Sequence, residues 1–165
     1  MFFVRTAGPQ DLDAVRALLA ESFHATYDGF YGPAKVKQLL DSWHSPAALK
    51  ARLAKKGGEF LVADDGRKLG GVGYAAMSDK MTKTAMLHQL YVRPTCLRQG
   101  IGRDIFAELE SCFPDAEVMR LEVEPRNAAA IAFYTSHGFV EVDRTTSCGG
   151  PDSGLEAMVM EKPLG

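Results

Sequence analysis

At 165 residues, 46% of them hydrophobic and 24% charged, the chain has the length and composition of one globular domain covering 1–165. A formal net charge of −2 leaves no basic footprint for nucleic acid, and no apolar run is long enough to cross a bilayer. The start, Met1-Phe2-Phe3-Val4-Arg5, lacks the charged head and apolar stretch of a signal peptide. The cysteines Cys96, Cys112 and Cys148 are odd in number and lack metal-ligand spacing. They read as free thiols in a reducing cytoplasm, with no pattern around them that would activate a thiolate.

Residues 2–6 alternate weakly and read as a first strand. Pro9 stands at a first helical position, with Asp11 and Asp13 where the helix dipole favours acids. Leu12, Val15, Leu19 and Phe23 follow at helical spacing. The aromatic, glycine-bearing run from Tyr27 to Pro33 is expected to be a loop. Val36, Leu39, Leu40 and Trp43 mark a second helical stretch. Ser45-Pro46 restarts a helix carrying Leu49 and Leu53, which Gly57-Gly58 stops.

A β region follows, with strands at Phe60–Ala63, Leu69–Met77 and Ala85–Val92. They are separated by an Asp64-Asp65-Gly66 turn and a polar loop from Ser78 to Lys83. A helix over Gly100–Phe113 carries Ile101, Ile105 and Leu109 one turn apart. Val118–Val123 is a strand, and a helix capped by Asn127 ends at Gly138. Val140–Arg144 and Leu155–Glu161 form a last strand pair around the Gly-rich segment Ser147–Gly154, a mobile loop or a bulge. The order β-α-α-β-β-β-α-β-α-β-β predicts an α/β (α+β) fold. Its central sheet is mixed and mostly antiparallel, with one parallel crossover from Ala85 to Val123 and helices on both faces.

The stretch Leu90-Tyr91-Val92-Arg93-Pro94-Thr95-Cys96-Leu97-Arg98-Gln99-Gly100-Ile101-Gly102-Arg103 is the most informative. A strand ends at a proline, and two glycines one residue apart open a helix. Glycines let a ligand approach the backbone, and the first helical N–H groups with the dipole behind them make an anion site. Arg98 and Arg103 flank it and add charged donors. A Rossmann site would need a third glycine at Ile105, and no Gly-Lys-Ser/Thr phosphate loop is present.

This run resembles the signature of the GNAT acetyltransferases, a strand ending Leu-x-Val-x-Pro before Arg/Gln-x-x-Gly-x-Gly/Ala. Leu90, Val92, Pro94, Gly100 and Gly102 match in register. Downstream, Val123-Glu124-Pro125-Arg126-Asn127 and the run from Asn127 through Phe133-Tyr134 to Gly138-Phe139 resemble the family's second signature. One departure is Leu97, where the family has Arg or Gln; Arg98 is the substitute next to it.

The resemblance implies acetyl-CoA as cosubstrate, held by Leu90, Tyr91, Val92, Leu97, Arg98, Gln99, Gly100, Ile101, Gly102, Arg103, Asn127, Phe133 and Tyr134. In such a fold the end of the Ala85–Val92 strand splays from the Val118–Val123 strand. The pantetheine arm pairs with the backbone exposed near Val92. Asn127 then has two roles open to it, pantetheine contact or helix cap. Tyr134 matches the general acid that protonates the leaving thiolate, against a packing role for the Phe133-Tyr134 pair. His88 shares a strand face with Met86, Leu90 and Val92 and is the candidate base, directly or through water, against a hydrogen-bonded, half-buried histidine.

Tyr27, Asp28, Tyr31 and Trp43, from the N-terminal half, are candidates for the acceptor pocket. An aromatic group beside an acid can hold a cation, and a packed loop explains them equally. The segment from Glu21 to Tyr27 is loosely similar to bacterial polyamine N-acetyltransferases. The expected activity is acetyl transfer to a primary amine of a small molecule, needing no metal. The rivals are an acyl-CoA-binding module with little turnover and acetylation of protein N-termini or lysines. Membrane and nucleic acid are not expected partners, and a homodimer is compatible with the fold's strand edges.

Overall fold

Seven strands and five α-helices are formed in a computed structural model that describes residues 1–148 and 153–165. They are β1 (Phe3–Thr6), α1 (Leu12–Tyr31), α2 (Pro33–Trp43), α3 (Pro46–Ala54), β2 (Gly58–Asp64), β3 (Leu69–Met77), β4 (Thr84–Val92), α4 (Ile101–Ser111), β5 (Val118–Val123), α5 (Ala128–Ser136), β6 (Val140–Thr145) and β7 (Ala157–Pro163). Part of the expected Gly-rich loop, residues 149–152, lies outside the described residues. Contacts divide the chain into two compact units. One holds residues 1–76 and 89–112, the other 77–88 and 113–165, so β4 contributes to both.

The strand and helix order follows the sequence pattern with one correction. The run Tyr27–Pro33, expected to be a loop, is the last turn of α1, and the chain breaks only at Gly32 with φ 83°. Tyr27 and Tyr31, one helical turn apart, stack at 5.8 Å between ring centroids, and Tyr27 meets Phe23 edge-on at 5.1 Å. The i, i+4 aromatic contacts hold this turn helical, and Pro33 then opens α2 at its first position.

In the first unit the strands run in the order β1-β2-β3-β4, with β1–β2 and β2–β3 antiparallel. Side chains alternate along β3, and the two faces differ in kind. Val72, Tyr74 and Ala76 point into a core shared with Val15, Leu18, Leu19 and Phe23 of α1, Val36 and Leu40 of α2 and Leu49 of α3. Gly71 and Gly73 face α4: a Cβ at Gly71 would lie 2.6 Å from Ile101 Cγ2, and one at Gly73 2.5 Å from Ile105 Cγ2. Helices therefore cover both faces of this unit's strands. Arg5 ties β1 to the start of α1 and the end of β2. Its guanidinium grips Asp11 with two 2.8 Å bonds and reaches Asp64 at 3.0 Å. Asp11 also accepts Gly8 N–H at 2.8 Å, and the Arg5 hydrogen bonds hold its carboxyl below the ordinary range.

In the second unit the order is β4-β5-β7-β6. β4 and β5 pair in parallel from Thr84↔Val118 to Met86↔Arg120, the expected crossover. β7 pairs antiparallel with both β5 and β6. Arg120 and Glu161 are register partners across β5 and β7, and their side chains pair at 2.6 Å. The sheet is mixed and mostly antiparallel. Met119, Leu121, Val159 and Met160 are buried with Phe139, while Val140 and Val142 of β6 are exposed.

Two glycines separate packing from propensity. Gly73→Val should cost about 1–3 kcal/mol by overpacking against Ile105 and Leu109, lowering Tm by roughly 3–10 °C. Gly29→Ala, where an added Cβ meets nothing within 4 Å in the last turn of α1, should instead stabilise by up to about 0.5–1 kcal/mol. Thermal melts of the two variants check both signs.

Candidate functional site

The loop before α4 takes the shape expected of an anion site. Pro94 opens a short 3-10 turn, and Arg98 then adopts φ 64° and Gly100 φ 78° before the helix begins. A left-handed Arg costs about 1–2 kcal/mol, and a glycine does not. Gly100 O accepts Asp104 N–H at 2.9 Å, which starts the helical ladder. Ile101 is buried against β3, so the helix start is pinned while Leu97, Arg98, Gln99 and Arg103 remain exposed. Leu97 is 58% exposed and offers no charge, whereas the Arg103 guanidinium folds over Gly100, where a Cβ would lie 2.7 Å from its Nη2. The first N–H groups of α4 thus lie beside two exposed arginines, Arg98 and Arg103.

The end of β4 is fastened to neighbours that the sequence did not single out. Ser22 of α1 donates its hydroxyl to Val92 O at 3.1 Å. Arg93 donates to Leu69 O at 3.0 Å, its N–H bonds Gly70 O at 2.8 Å, and its guanidinium pairs with Glu21. Leu90, Tyr91 and Val92 are half-buried. One carbonyl of the backbone expected to meet pantetheine, that of Val92, already accepts a hydrogen bond.

Three of the four acceptor-pocket candidates take part in packing. Tyr27, Tyr31 and Trp43 flank the first unit's core, and the Tyr27 hydroxyl lies 3.5 Å from that of Tyr91. Asp28 pairs with His24, one turn earlier on α1, at 2.7 Å. Tyr91 and Phe23 are in ring contact at 5.0 Å, so β4 joins this aromatic group.

Beneath the group is a polar cluster that sequence reasoning passed over. His44, in the α2–α3 corner, is 2% exposed, and Gln89 of β4 is 6% exposed. His44 Nδ1 lies 3.1 Å from Arg52 Nη1 and 3.0 Å from Gln89 Nε2. Arginine can only donate, so Nδ1 is the acceptor and the ring proton is on Nε2. Arg52 also donates to Trp43 O and stands 5.8 Å from the centre of the Tyr74 ring. Among the described residues, His44 Nε2 and Gln89 Oε1 are buried without a hydrogen-bond partner. Burial, and then the Arg52 charge, push the His44 pKa down to about 3. The signal available in the sequence was the strand period, which sets Gln89 between Leu87 and Tyr91 on the inward face of β4.

In the second unit Asn127 caps α5, its side chain accepting Ala130 N–H at 3.2 Å. The cap accounts for the asparagine without a ligand. None of α5's residues is buried, although the helix reads Ala-Ala-Ala-Ile-Ala-Phe-Tyr-Thr-Ser. Tyr134 meets Phe133 at 5.4 Å and the buried Phe139 at 5.6 Å, and Phe133 lies over His137 at 4.2 Å. His88 is exposed on β4, on the face opposite Leu87 and Gln89. All three cysteines are free. Burial, with Glu122 and Glu124 adding to it, raises the Cys148 thiol to about 11, which keeps it protonated near neutral pH.

The buried histidine makes a pH prediction whose sign is fixed. Its native pKa is below its unfolded value of about 6.5, so as pH falls the unfolded chain takes up the proton first. Stability from this residue is present above about pH 6.5 and is lost between there and about pH 3. The slope is up to about 1.4 kcal/mol per pH unit. Urea midpoints between pH 7 and pH 5 should fall more steeply for the wild type than for His44→Gln, which cannot titrate.

Comparison with known proteins places this arrangement. The family model described as "Acetyltransferase (GNAT) domain" matches residues 27–164. The chain is similar to the N-alpha-acetyltransferase RimI of Mycobacterium tuberculosis, 37% identical over 106 residues. That match spans 62% of this chain and 64% of the relative, less than two thirds of its length. Among solved structures, the fold is like that of the PaiA N-acetyltransferase from Thermoplasma acidophilum in complex with coenzyme A. Its TM-score is 0.84 and its identity 22%, with 99% of each chain covered. It is also like the ribosomal-protein-alanine N-acetyltransferase from Brucella melitensis, with TM-score 0.74 and 25% identity over 98% of this chain and 99% of that one. Both signatures, at Leu90–Arg103 and at Val123–Phe139, fall inside the matched residues, and the chain belongs to the GNAT acetyltransferase domain family.

Proposed function

We propose that this protein transfers the acetyl group of acetyl-CoA to a primary amine. The observation that carries the reading is the opening of α4. There, left-handed Arg98 and Gly100 lead into a helix whose first N–H groups have no intrahelical partner, with the exposed Arg98 and Arg103 beside them, a site suited to the pyrophosphate of coenzyme A. Family membership supports the same cosubstrate. In the reaction the neutral amine attacks the thioester carbonyl, the C–N bond forms, the C–S bond breaks, and the thiolate takes a proton. Tyr134 is the proposed acid from its place in the second signature. His88 is the proposed base, reached by solvent on β4 and able to accept a proton directly or through water.

A small-molecule amine remains the first reading of the acceptor. A protein α-amino group is the second, favoured by the similarity to the M. tuberculosis N-alpha-acetyltransferase RimI. Mass spectrometry of products from a panel of small amines and of peptides with free N-termini distinguishes them. Release of free thiol without any acetylated product would favour a binding module instead.

Coenzyme A should raise Tm through one site per chain, because a ligand of the native state stabilises it. Gly102→Glu tests the location cleanly. Gly102 is within regular α4 rather than in the left-handed turn, so the substitution adds charge without backbone strain. The shift should vanish, and an unchanged shift would remove α4 from the cofactor site.

Kinetics test the two side chains. Tyr134→Phe should lower kcat roughly ten- to a thousandfold, the range for a positioned acid, with cofactor affinity little changed. The wild-type kcat/KM should rise through an ionisation in the histidine range, roughly pH 6 to 7.5, and His88→Gln should lose it. Overlaying profiles would leave the base role to water or another group.

A further inference from the structure

We propose that Gln89 is a positioning residue, and that its buried bond to His44 holds the end of β4 in place for acetyl transfer. The proposal rests on the acetyltransferase reading and adds to it the residues that support the reacting backbone. β4 runs from Thr84 to Val92, but its register with β5 covers only residues 84–86. β5 continues to Val123 with β7 as its partner. Residues 87–92 of β4 therefore have β3 on one edge and, among the described residues, no paired residue of β5 on the other. On the acetyltransferase reading the thioester arm lies along this open edge. A backbone N–H there is the donor to the carbonyl oxygen as charge develops on it. A strand held along one edge can tilt, and a displacement of about 1 Å in such a group costs roughly a hundredfold in rate.

Polar bonds tie this stretch down from its covered face. Gln89 donates to His44 Nδ1 at 3.0 Å, and Ser22 donates to Val92 O at 3.1 Å. The first of these is buried at both ends, and its direction is fixed by a chain of donors. Arg52 bonds the Trp43 carbonyl, stands over the Tyr74 ring and donates to the same Nδ1. That atom is therefore the acceptor, and the Gln89 amide nitrogen must face it. The bond comes at a cost in stability, because His44 Nε2 and Gln89 Oε1 are left buried without partners among the described residues. An apolar pair would fill the same place without that cost. What the hydrogen bond adds is direction: a methyl contact lets the strand slide, and an oriented amide does not. The cluster touches no substrate, since its face of β4 is opposite that of His88. It acts through the backbone on either side of Gln89.

Two arms test this, and the first needs no turnover. In Gln89→Met, amide hydrogen exchange at residues 89–92 should quicken about fivefold or more, while residues 61–63 of β2 keep their wild-type rates. Unchanged exchange, or an equal rise in both strands, would overturn the proposal. The second arm is steady-state kinetics with acetyl-CoA and an amine that the wild type acetylates. Gln89→Met and His44→Leu should each lower kcat roughly tenfold or more, with the KM for acetyl-CoA within about twofold of wild type. His44→Asn, whose side-chain oxygen can take the place of Nδ1, should bring kcat back to within about threefold of wild type. Three results would overturn the positioning role: wild-type kcat in a folded apolar variant, a KM for acetyl-CoA that rises as far as kcat falls, or a His44→Asn as slow as the apolar variants. Should one apolar variant fail to fold, His44→Asn against the other still decides. If the wild type acetylates no amine, the transferase reading falls, and the exchange arm still decides whether the His44–Gln89 bond holds β4.

Discussion

The close approach of α4 to β3 is the contact on which the candidate site depends. Gly71 and Gly73 leave no side chain at the middle of one face of β3, and Ile101, Ile105 and Leu109 fill the space. A side chain at either glycine would force Ile101, Ile105 or Leu109 to shift. Ile101 is the first residue of α4, so the same contact fixes where the helix starts, and therefore where its free N–H groups and the left-handed Gly100 are held. Packing inside the unit sets the position of the candidate site.

The other end of this arrangement is held by polar bonds. Ser22 and Glu21, adjacent on α1, fasten Val92 and Arg93 at the end of β4. The His44–Gln89 bond fastens the α2–α3 corner to the same strand three residues earlier. Buried polar groups of this kind are expensive unless satisfied. That two atoms of the His44–Gln89 pair have no partner among the described residues sets the cluster apart from the Arg5–Asp11–Asp64 network, in which each charge has a partner.

In the second unit the strands are secured by register and the helix is left open. The Arg120–Glu161 pair joins residues directly opposite on β5 and β7, and β7 is buried from Ala157 to Met160. By contrast α5 is apolar in sequence and buries no residue. An apolar helix normally hides one face. Its capped start and its aromatic contacts, Tyr134 on Phe139 and Phe133 on His137, keep it formed all the same.

The sequence by itself determined every strand to within a few residues, the parallel β4–β5 crossover and the helix opening at Gly100. It did so because these rest on local rules: period-two alternation, turn glycines and prolines, caps at Ser45 and Asn127. The two family signatures were legible for the same reason, since their residues are contiguous. The last turn of α1 was misjudged because Gly29 and the aromatic composition suggest a loop, and only the Tyr27–Tyr31 stack outweighs them. Tertiary structure alone decided what shares a neighbourhood at long separation. Glu21 meets Arg93, Ser22 meets Val92, and His44 meets Gln89, across 45 or more positions of chain. No periodicity reports such pairs. Nor could it show that Arg52, an ordinary helix residue in the sequence, is a half-buried cation without a carboxylate among the described residues, because burial and charge matching are properties of the folded packing.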